Sequence, residues 1–271
     1  MASRVKIALL TGGSSGIGAE TARMLSRSGI KVYAGSRRGT VSPECASDPL
    51  IVPVVMDVND QASVDSVVAR ILEAEGRLDA VVCNAGNGIY GPVEYTSEED
   101  ARAQFETCYF GALKTIQACL PVFRKQGHGR IITVTSVMAV LELPFQTFYS
   151  SAKAAMLSLT EGLRMELKGS GIECCSILPG DVATGFTSAR KNTAPQGTPY
   201  DKAVARNLSK IEKDELGGMK PEVIGKAILK QLRKKHMSVR VIPRLDYKLV
   251  GLLVRIIPAG WRLSLINALY S

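Results

Sequence analysis

The stretch "TGGSSGIGAETARML", Thr11 to Leu25, follows the apolar run Lys6–Leu10 and decides how the whole chain is read. Gly12, Gly16 and Gly18 stand where a strand-like run gives way to a helical stripe carrying Ala22 and Leu25. Glycines let a backbone approach a pyrophosphate closely, and a helix amino end offers unsatisfied N–H groups and a positive dipole. The spacing is not GxGxxG, nor is it the GxxxxGK[ST] of a triphosphate loop, because no Lys follows Gly18. A tight turn between strand and helix would use the same glycines, so the surrounding pattern has to decide.

Outward from this loop, short β-branched runs alternate with longer helical patterns. Strands are expected at Lys6–Leu10, Lys31–Ala34, Ile51–Met56, Ala80–Cys83, Arg130–Thr135, Glu173–Leu178 and Ser238–Ile242, with helices near 16–28, 61–75, 98–126, 148–168 and 221–235. Near-continuous apolar strands alternating with helices predict an α/β fold. It is a Rossmann-type doubly wound parallel sheet of about seven strands, with helices on both faces, in a single domain. Residues 1–243 form the expected dinucleotide-binding catalytic domain, and 244–271 a basic amphipathic extension. Residues 181–218, rich in Gly, Pro, Thr and charge, break the alternation and are expected to form a mobile lid over the substrate.

Composition narrows the function classes. At 271 residues, 46% hydrophobic and 22% charged, the chain can bury a full core and contains no disordered block. Six cysteines (45, 83, 108, 119, 174, 175) follow no metal-ligand spacing, so no metal is expected, and reduced thiols fit a cytoplasmic setting. Adjacent Cys174 and Cys175 should point to opposite faces of a strand. Met1 to Lys6 leads straight into the first strand, without the pattern of a secretory signal. The net charge is +9, yet from Pro221 onward ten Lys or Arg face only Glu222 and Asp246. A globally basic surface would point to nucleic acid; a basic, apolar carboxyl end does not.

About twenty residues beyond the glycine loop, a dinucleotide site contacts the adenosine ribose, where an acid accepts from a 2′-hydroxyl and a base pairs with a 2′-phosphate. Here the chain reads "AGSRRGT", with Arg37 and Arg38 and no acid. Guanidinium suits phosphate, which favours NADP(H); an exposed basic loop would look the same.

"QTFYSSAKAAM" places Tyr149 and Lys153 four residues apart, about one helical turn, on one face. That spacing suits a surface pair as well as a catalytic one. Reduction of a ketone needs a proton on oxygen, and a free phenol with a pKa of about 10 is a poor acid–base catalyst at neutral pH. A neighbouring ammonium favours the phenolate and is expected to lower that pKa. Ser136 follows the strand Arg130–Thr135 at its carboxyl end, where its hydroxyl would bond a substrate oxygen. The two histidines, His128 and His236, lie in polar surroundings and build no competing nucleophile.

Taken in order, these residues resemble the short-chain dehydrogenase/reductase family from about Val5 to Phe186. "TGGSSGIG" (11–18) looks like the family's TGxxxGxG loop, and "MDV" (56–58) like its adenine-contacting segment. "NAG" (84–86) follows the fourth strand, Ser136 with "YSSAK" fits Ser…YxxxK, and "PGDVAT" (179–184) resembles PGxVxT. The resemblance implies NADP(H) contacts from Gly12, Ser14, Ser15, Gly16, Ile17, Gly18, Arg37, Arg38, Asp57, Val58, Asn84, Ala85, Gly86, Tyr149, Lys153, Pro179, Gly180, Val182 and Thr184. Ser136, Tyr149 and Lys153 would be catalytic, with Lys153 tuning the phenol and holding the nicotinamide ribose. Cys108 occupies the position where the family usually carries Asn in a proton relay, and a thiol cannot replace an amide's two-way bonding.

The sequence also resembles the family's hydroxysteroid (17β-type) and retinol dehydrogenase branch, which implies a small hydrophobic substrate. A hydroxysteroid or bile acid comes first, and an acyl-lipid or 3-oxoacyl ketone of the acyl-dihydroxyacetone-phosphate kind, or a retinal, is the alternative. A non-catalytic nucleotide-sensing or membrane-bound protein is the reading from another class. Ser136, Leu143, Tyr149 and Phe186 are the expected substrate contacts, with Val140, Leu141 and Phe145 nearby. In the tail, Leu249, Leu252, Leu253, Ile256 and Ile257 recur at helical spacing, while Lys248, Arg255 and Arg262 lie seven apart. The apolar part is too short for the roughly 20 residues of a membrane span. A packed helix or subunit contact, a peripheral membrane anchor with Trp261 at the interface, and a pocket wall all remain open. The long helices at 98–126 and 148–168 resemble those through which the family forms homodimers and homotetramers.

Overall fold

The seven expected strands pair, all parallel, into one sheet. The computed structural model describes residues 5–186 and 189–270, apart from the side chains at 250 and 252–255. In chain order the elements begin with β1 (Ile7–Thr11), α1 (Gly16–Arg27), β2 (Lys31–Ser36), β3 (Ile51–Val55), α2 (Gln61–Glu75), β4 (Ala80–Cys83) and β5 (Ile89–Tyr90). There follow α3 (Glu98–Phe105), α4 (Gly111–Gln126), β6 (Gly129–Val134), α5 (Thr147–Glu166), β7 (Ile172–Ile177) and β8 (Lys191–Asn192). The chain closes with α6 (Asp201–Leu216), α7 (Pro221–Arg233), β9 (Arg240–Val241), α8 (Leu245–Ile256) and α9 (Ala259–Tyr270). The strand order is β3-β2-β1-β4-β6-β7-β9.

Each central strand buries both faces, which is why it reads as an unbroken apolar run. One core layer joins the sheet to α2, α4 and α5 through Ile71, Ile116 and Met156. The other joins it to α1 and α7 through Leu25, Ile224 and Ile228. Cys174 enters the first layer and Cys175 the second, as alternation along a strand requires. All six cysteines are free and buried. The order reverses between β1 and β4, and their carboxyl ends define the crevice where such sheets bind ligands.

The expected elements are refined in four places. The helix expected over 98–126 is continuous, but it widens into a π turn at Glu106–Phe110, between α3 and α4, that carries Cys108. The last strand has two residues rather than five, because only Arg240 and Val241 find a partner in β7. The region 181–218 holds regular elements: β8 pairs with β5 in a separate two-stranded sheet, and α6 occupies sixteen residues. The tail forms two helices, with Pro258 between them. There, Ile266 is buried, and the Asn207 amide of α6 donates to the Tyr270 carbonyl at 2.7 Å. Met1 to Arg4 and the side chains of Leu252, Leu253 and Arg255 lie outside the described residues.

Candidate active site

The glycine loop folds more tightly than any side chain would permit. Gly12 and Gly16 have φ of 66° and 53°. A Cβ on Gly18 would lie 2.0 Å from the Gly12 carbonyl oxygen, and one on Gly12 would lie 2.9 Å from the Ala85 Cα. The loop is tied to the end of β4. The Thr11 hydroxyl accepts from the Asn84 and Ala85 N–H groups, both at 3.0 Å, and the Asn84 amide donates to the Thr11 and Gly12 carbonyls, both at 3.1 Å. Asn84 therefore holds the loop in shape. Ser14, Ser15, Gly16, Arg38 and Thr40 line a cavity of about 670 Å³; Arg37 and Arg38 are both exposed, and only Arg38 belongs to that lining. Ile17 packs toward the α1 layer.

The remaining expected cofactor residues do not line that cavity and are placed by other contacts. Asp57 accepts from the Asn59 N–H at 2.9 Å, and Val58 is buried against Gly111, where a Cβ would approach it to 2.7 Å. Gly86 lies beside Cys108 and Lys153: a Cβ there would be 3.5 Å from the Cys108 Sγ and 3.7 Å from the Lys153 Nζ. The Pro179 carbonyl accepts from the Val137 N–H at 2.8 Å, and Val182 bridges to Met219. Thr184 faces Gly16 closely enough that a Cβ there would touch it at 3.4 Å. A loop in which Gly12 and Gly18 leave no room for a Cβ, opening directly into the amino end of α1, fits a dinucleotide.

Ser136, Tyr149 and Lys153 come together at the carboxyl end of β6. Lys153, although buried, donates to the Val134 carbonyl at 2.9 Å, and its Nζ lies 5.6 Å from the Tyr149 ring centroid. The Ser136 hydroxyl accepts from the Met138 N–H at 3.1 Å and lies 3.5 Å from the Pro179 carbonyl. The expected lowering of the Tyr149 pKa is not what the folded site gives on balance. Burial pushes it up, Lys153 pulls against that, Cys108 adds to the rise, and Arg190 and Ser136 lower it. Loss of solvation outweighs the ammonium one turn away.

Phe186 packs on Tyr149, with ring centroids 5.7 Å apart. Leu143 instead lines a groove of about 470 Å³ that Glu142, Pro144 and Thr147 form with Leu263 and Ile266 of α9. Phe145, at φ 62°, is the only non-glycine among the described residues in the left-handed region. Its ring is held between Tyr90 and Tyr200 at 6.1 and 6.2 Å. Such strain persists only where surrounding contacts enforce it.

Several residues at the site carried no sequence signal. Gln104 is fully buried. Its amide donates to the Asn87 carbonyl at 2.9 Å and to the Cys108 Sγ at 3.0 Å, and its carbonyl accepts from the Ile89 N–H at 2.9 Å. Cys108 in turn reaches the Asn87 carbonyl at 3.5 Å. The position that lacks an amide side chain is thus flanked by two, one of them a helical turn earlier in the chain. Arg190 stacks over Phe186 with its guanidinium carbon 5.3 Å from the ring centroid. Tyr247 of α8 bonds the Asp181 carboxylate.

A family model described as short chain dehydrogenase matches residues 6–195. The chain is 37% identical over 237 residues to the 3-ketodihydrosphingosine reductase of Bacteroides thetaiotaomicron, which covers 87% of this chain and 86% of that protein. A short chain dehydrogenase of Burkholderia cenocepacia in complex with NADP is 26% identical and covers 100% of both chains, with a TM-score of 0.75. A short chain dehydrogenase/reductase of Burkholderia phymatum in complex with NAD shares the fold, with a TM-score of 0.80, 21% identity and coverage of 94% and 93%.

Proposed function

The chain belongs to the short-chain dehydrogenase family, and from that premise we propose that it interconverts a ketone and a secondary alcohol on a bulky hydrophobic substrate with NADP(H). The observation that carries this reading is the junction of Ser136, Tyr149 and Lys153 beside the glycine loop and the Asn84–Gly86 segment after β4. When bound, the nicotinamide supplies or accepts the hydride. Tyr149 gives its phenolic proton to the carbonyl oxygen, and its raised pKa keeps that proton in place at neutral pH. Ser136 shares the oxygen's developing charge. Lys153, fixed by the Val134 carbonyl, holds positive charge beside the phenolate as it forms. Arg38, lining the cavity with Ser14 and Ser15, supports the phosphorylated cofactor.

For the substrate, a hydroxysteroid or bile acid is one reading. The relative named for 3-ketodihydrosphingosine favours a second, a long-chain lipid ketone. Apolar Leu143, Leu263 and Ile266 along the groove suit either. The free, buried thiols support a reducing compartment. Among the described residues no helix is long and apolar enough to cross a membrane. The exposed Leu245, Leu249, Ile256, Trp261, Leu265 and Leu269, with the basic charge around them, support contact of α8 and α9 with an anionic lipid surface. Pairing of subunits through the long helices is part of the same proposal.

Tyr149→Phe tests the chemistry. Turnover of steroid and 3-oxo lipid ketones should fall by about 10²- to 10⁴-fold while fluorescence titration shows NADPH binding retained. Unchanged NADPH consumption would sink the proton-donor role.

A further inference from the structure

Arg190 has more hydrogen-bonding capacity than the fold uses. Its side chain is only 7% exposed. Nη2 donates to Glu215, yet Nε and Nη1 are buried with no acceptor among the described residues, and the second Glu215 oxygen is likewise unmet. Buried polar groups are almost always hydrogen-bonded in folded proteins, so a guanidinium left half-satisfied inside a crevice asks for a ligand.

Its placement shows where that ligand would lie. The parallel pair β5–β8 and the Lys191 N–H donating to the Gly88 carbonyl at 3.0 Å fix this segment beside the loop after β4. A Cβ on Gly88 would meet the Arg190 stem at 2.9 Å and the Phe186 ring at 3.1 Å. Phe186 lies between the guanidinium and Tyr149, stacked on the first and packed on the second. Glu215 pairs with the guanidinium from α6, and the Phe186 ring links that guanidinium to Tyr149 on its other side.

We infer that Arg190 binds an oxyanion of the substrate, a carboxylate or a phosphate carried on the same molecule as the reacting ketone. Its free groups are donors only, and Phe186 and Gly88 remove the water that would otherwise meet them. Glu215 neutralises the guanidinium when the site is empty. This inference rests on the reading of Tyr149 as the reacting end, and it narrows the substrate to an anionic amphiphile with an apolar body.

The test uses the full chain and two readouts. Calorimetry measures binding of dodecanoate, dodecyl phosphate and uncharged dodecanol, and NADPH absorbance follows reduction of 9-oxododecanoate, whose carboxylate can reach past the Phe186 ring, and its methyl ester. The double variant Arg190→Gln, Glu215→Gln removes both charges, so no carboxylate is left buried alone; Arg190→Lys keeps the cation. Wild type should prefer an anion to dodecanol, and which anion binds tighter separates carboxylate from phosphate. In the double variant, anion binding and the acid-to-ester ratio of kcat/KM should fall about a hundredfold, with dodecanol binding within about threefold and Arg190→Lys in between. Equal loss for charged and uncharged ligands, or none for either, would overturn the inference. Tyr149→Phe separates it from the reading beneath it: that change should abolish turnover and leave anion binding intact. Should turnover survive, the proton-donor role fails and the calorimetric result still decides Arg190.

Discussion

The ring of Tyr247 in α8 closes on Gly180, where a Cβ would lie 2.3 Å from the Tyr247 Cζ, and its phenol bonds the Asp181 carboxylate. The Asp181 N–H also donates back to the phenol oxygen at 3.2 Å. The first tail helix is thereby fastened to the "PGDVAT" segment that the sequence assigns to the nicotinamide.

Tyr247→Phe keeps the packing and removes the bond to the carboxylate. A hydrogen bond to a charged group contributes about 1.5–3 kcal/mol, so the urea midpoint should drop by that equivalent. Gly180→Ala should do worse, because the new methyl has no room. An unchanged midpoint in Tyr247→Phe would mean that this contact does not hold the tail.

How far the sequence reaches can be judged from single residues. Leu9, Val82 and Ile132 are buried on both sides of the sheet, and such strands announce themselves as apolar runs. Gly12 and Gly18 were legible because their steric demand is local. Arg190 was not, since its place over Phe186 depends on β5 pairing with β8 across a hundred residues. Gln104 was hidden for a similar reason: a polar residue in a charged helix reads as solvated until the β5 segment is seen to take its carbonyl. The direction of the Tyr149 shift was missed because desolvation belongs to the folded surroundings, while the spacing to Lys153 shows only the charge.

Arg37 and Arg38 looked equivalent in the sequence and are not so in the fold. Arg38 lines the cavity next to Ser14 and Ser15, and Arg37 does not. Arg38→Gln should weaken NADPH binding about tenfold to a hundredfold, the range for losing one charge-assisted bond to phosphate, and leave NADH nearly unaffected. Arg37→Gln should cost NADPH less. Fluorescence titration of both cofactors checks this, and equal losses for NADPH and NADH would remove the preference for the 2′-phosphate.

Gln104→Leu fills a similar volume and strips three partners at once. The Ile89 N–H would stay buried without its bond, at about 1–3 kcal/mol, and the Asn87 carbonyl would keep only the weak Cys108 thiol. The variant should unfold at clearly lower urea, and the Ile89 and Cys108 segments should exchange amide hydrogens faster. A midpoint equal to that of wild type would show that the two amides do not brace the π turn.

The tail offers Trp261, exposed at 76%, and Leu265 and Leu269 on α9 with cations around them. Full-length protein should float with vesicles containing anionic lipid, less so at high salt. Trp261→Ser with Leu265→Ser should abolish flotation and leave cofactor affinity unchanged. Equal flotation on neutral vesicles would remove the electrostatic part of the proposal, and no flotation at all would remove the membrane contact.

The pH profile should report the tug on Tyr149. Lys153, Arg190 and Ser136 lower its pKa, burial and Cys108 raise it, and the balance lies above the ordinary value. Reduction needs the phenol protonated, so its rate should hold through neutrality and decline as pH rises through that pKa. Oxidation needs the phenolate, so kcat/KM for an uncharged alcohol should climb over the same interval. Removing the Arg190 charge, in Arg190→Gln with Glu215→Gln, takes away a group that favours the phenolate, so both limbs should move to higher pH. An uncharged alcohol keeps this readout apart from anion binding. Limbs that stay in place, or move to lower pH, would show that the guanidinium does not act on the phenol.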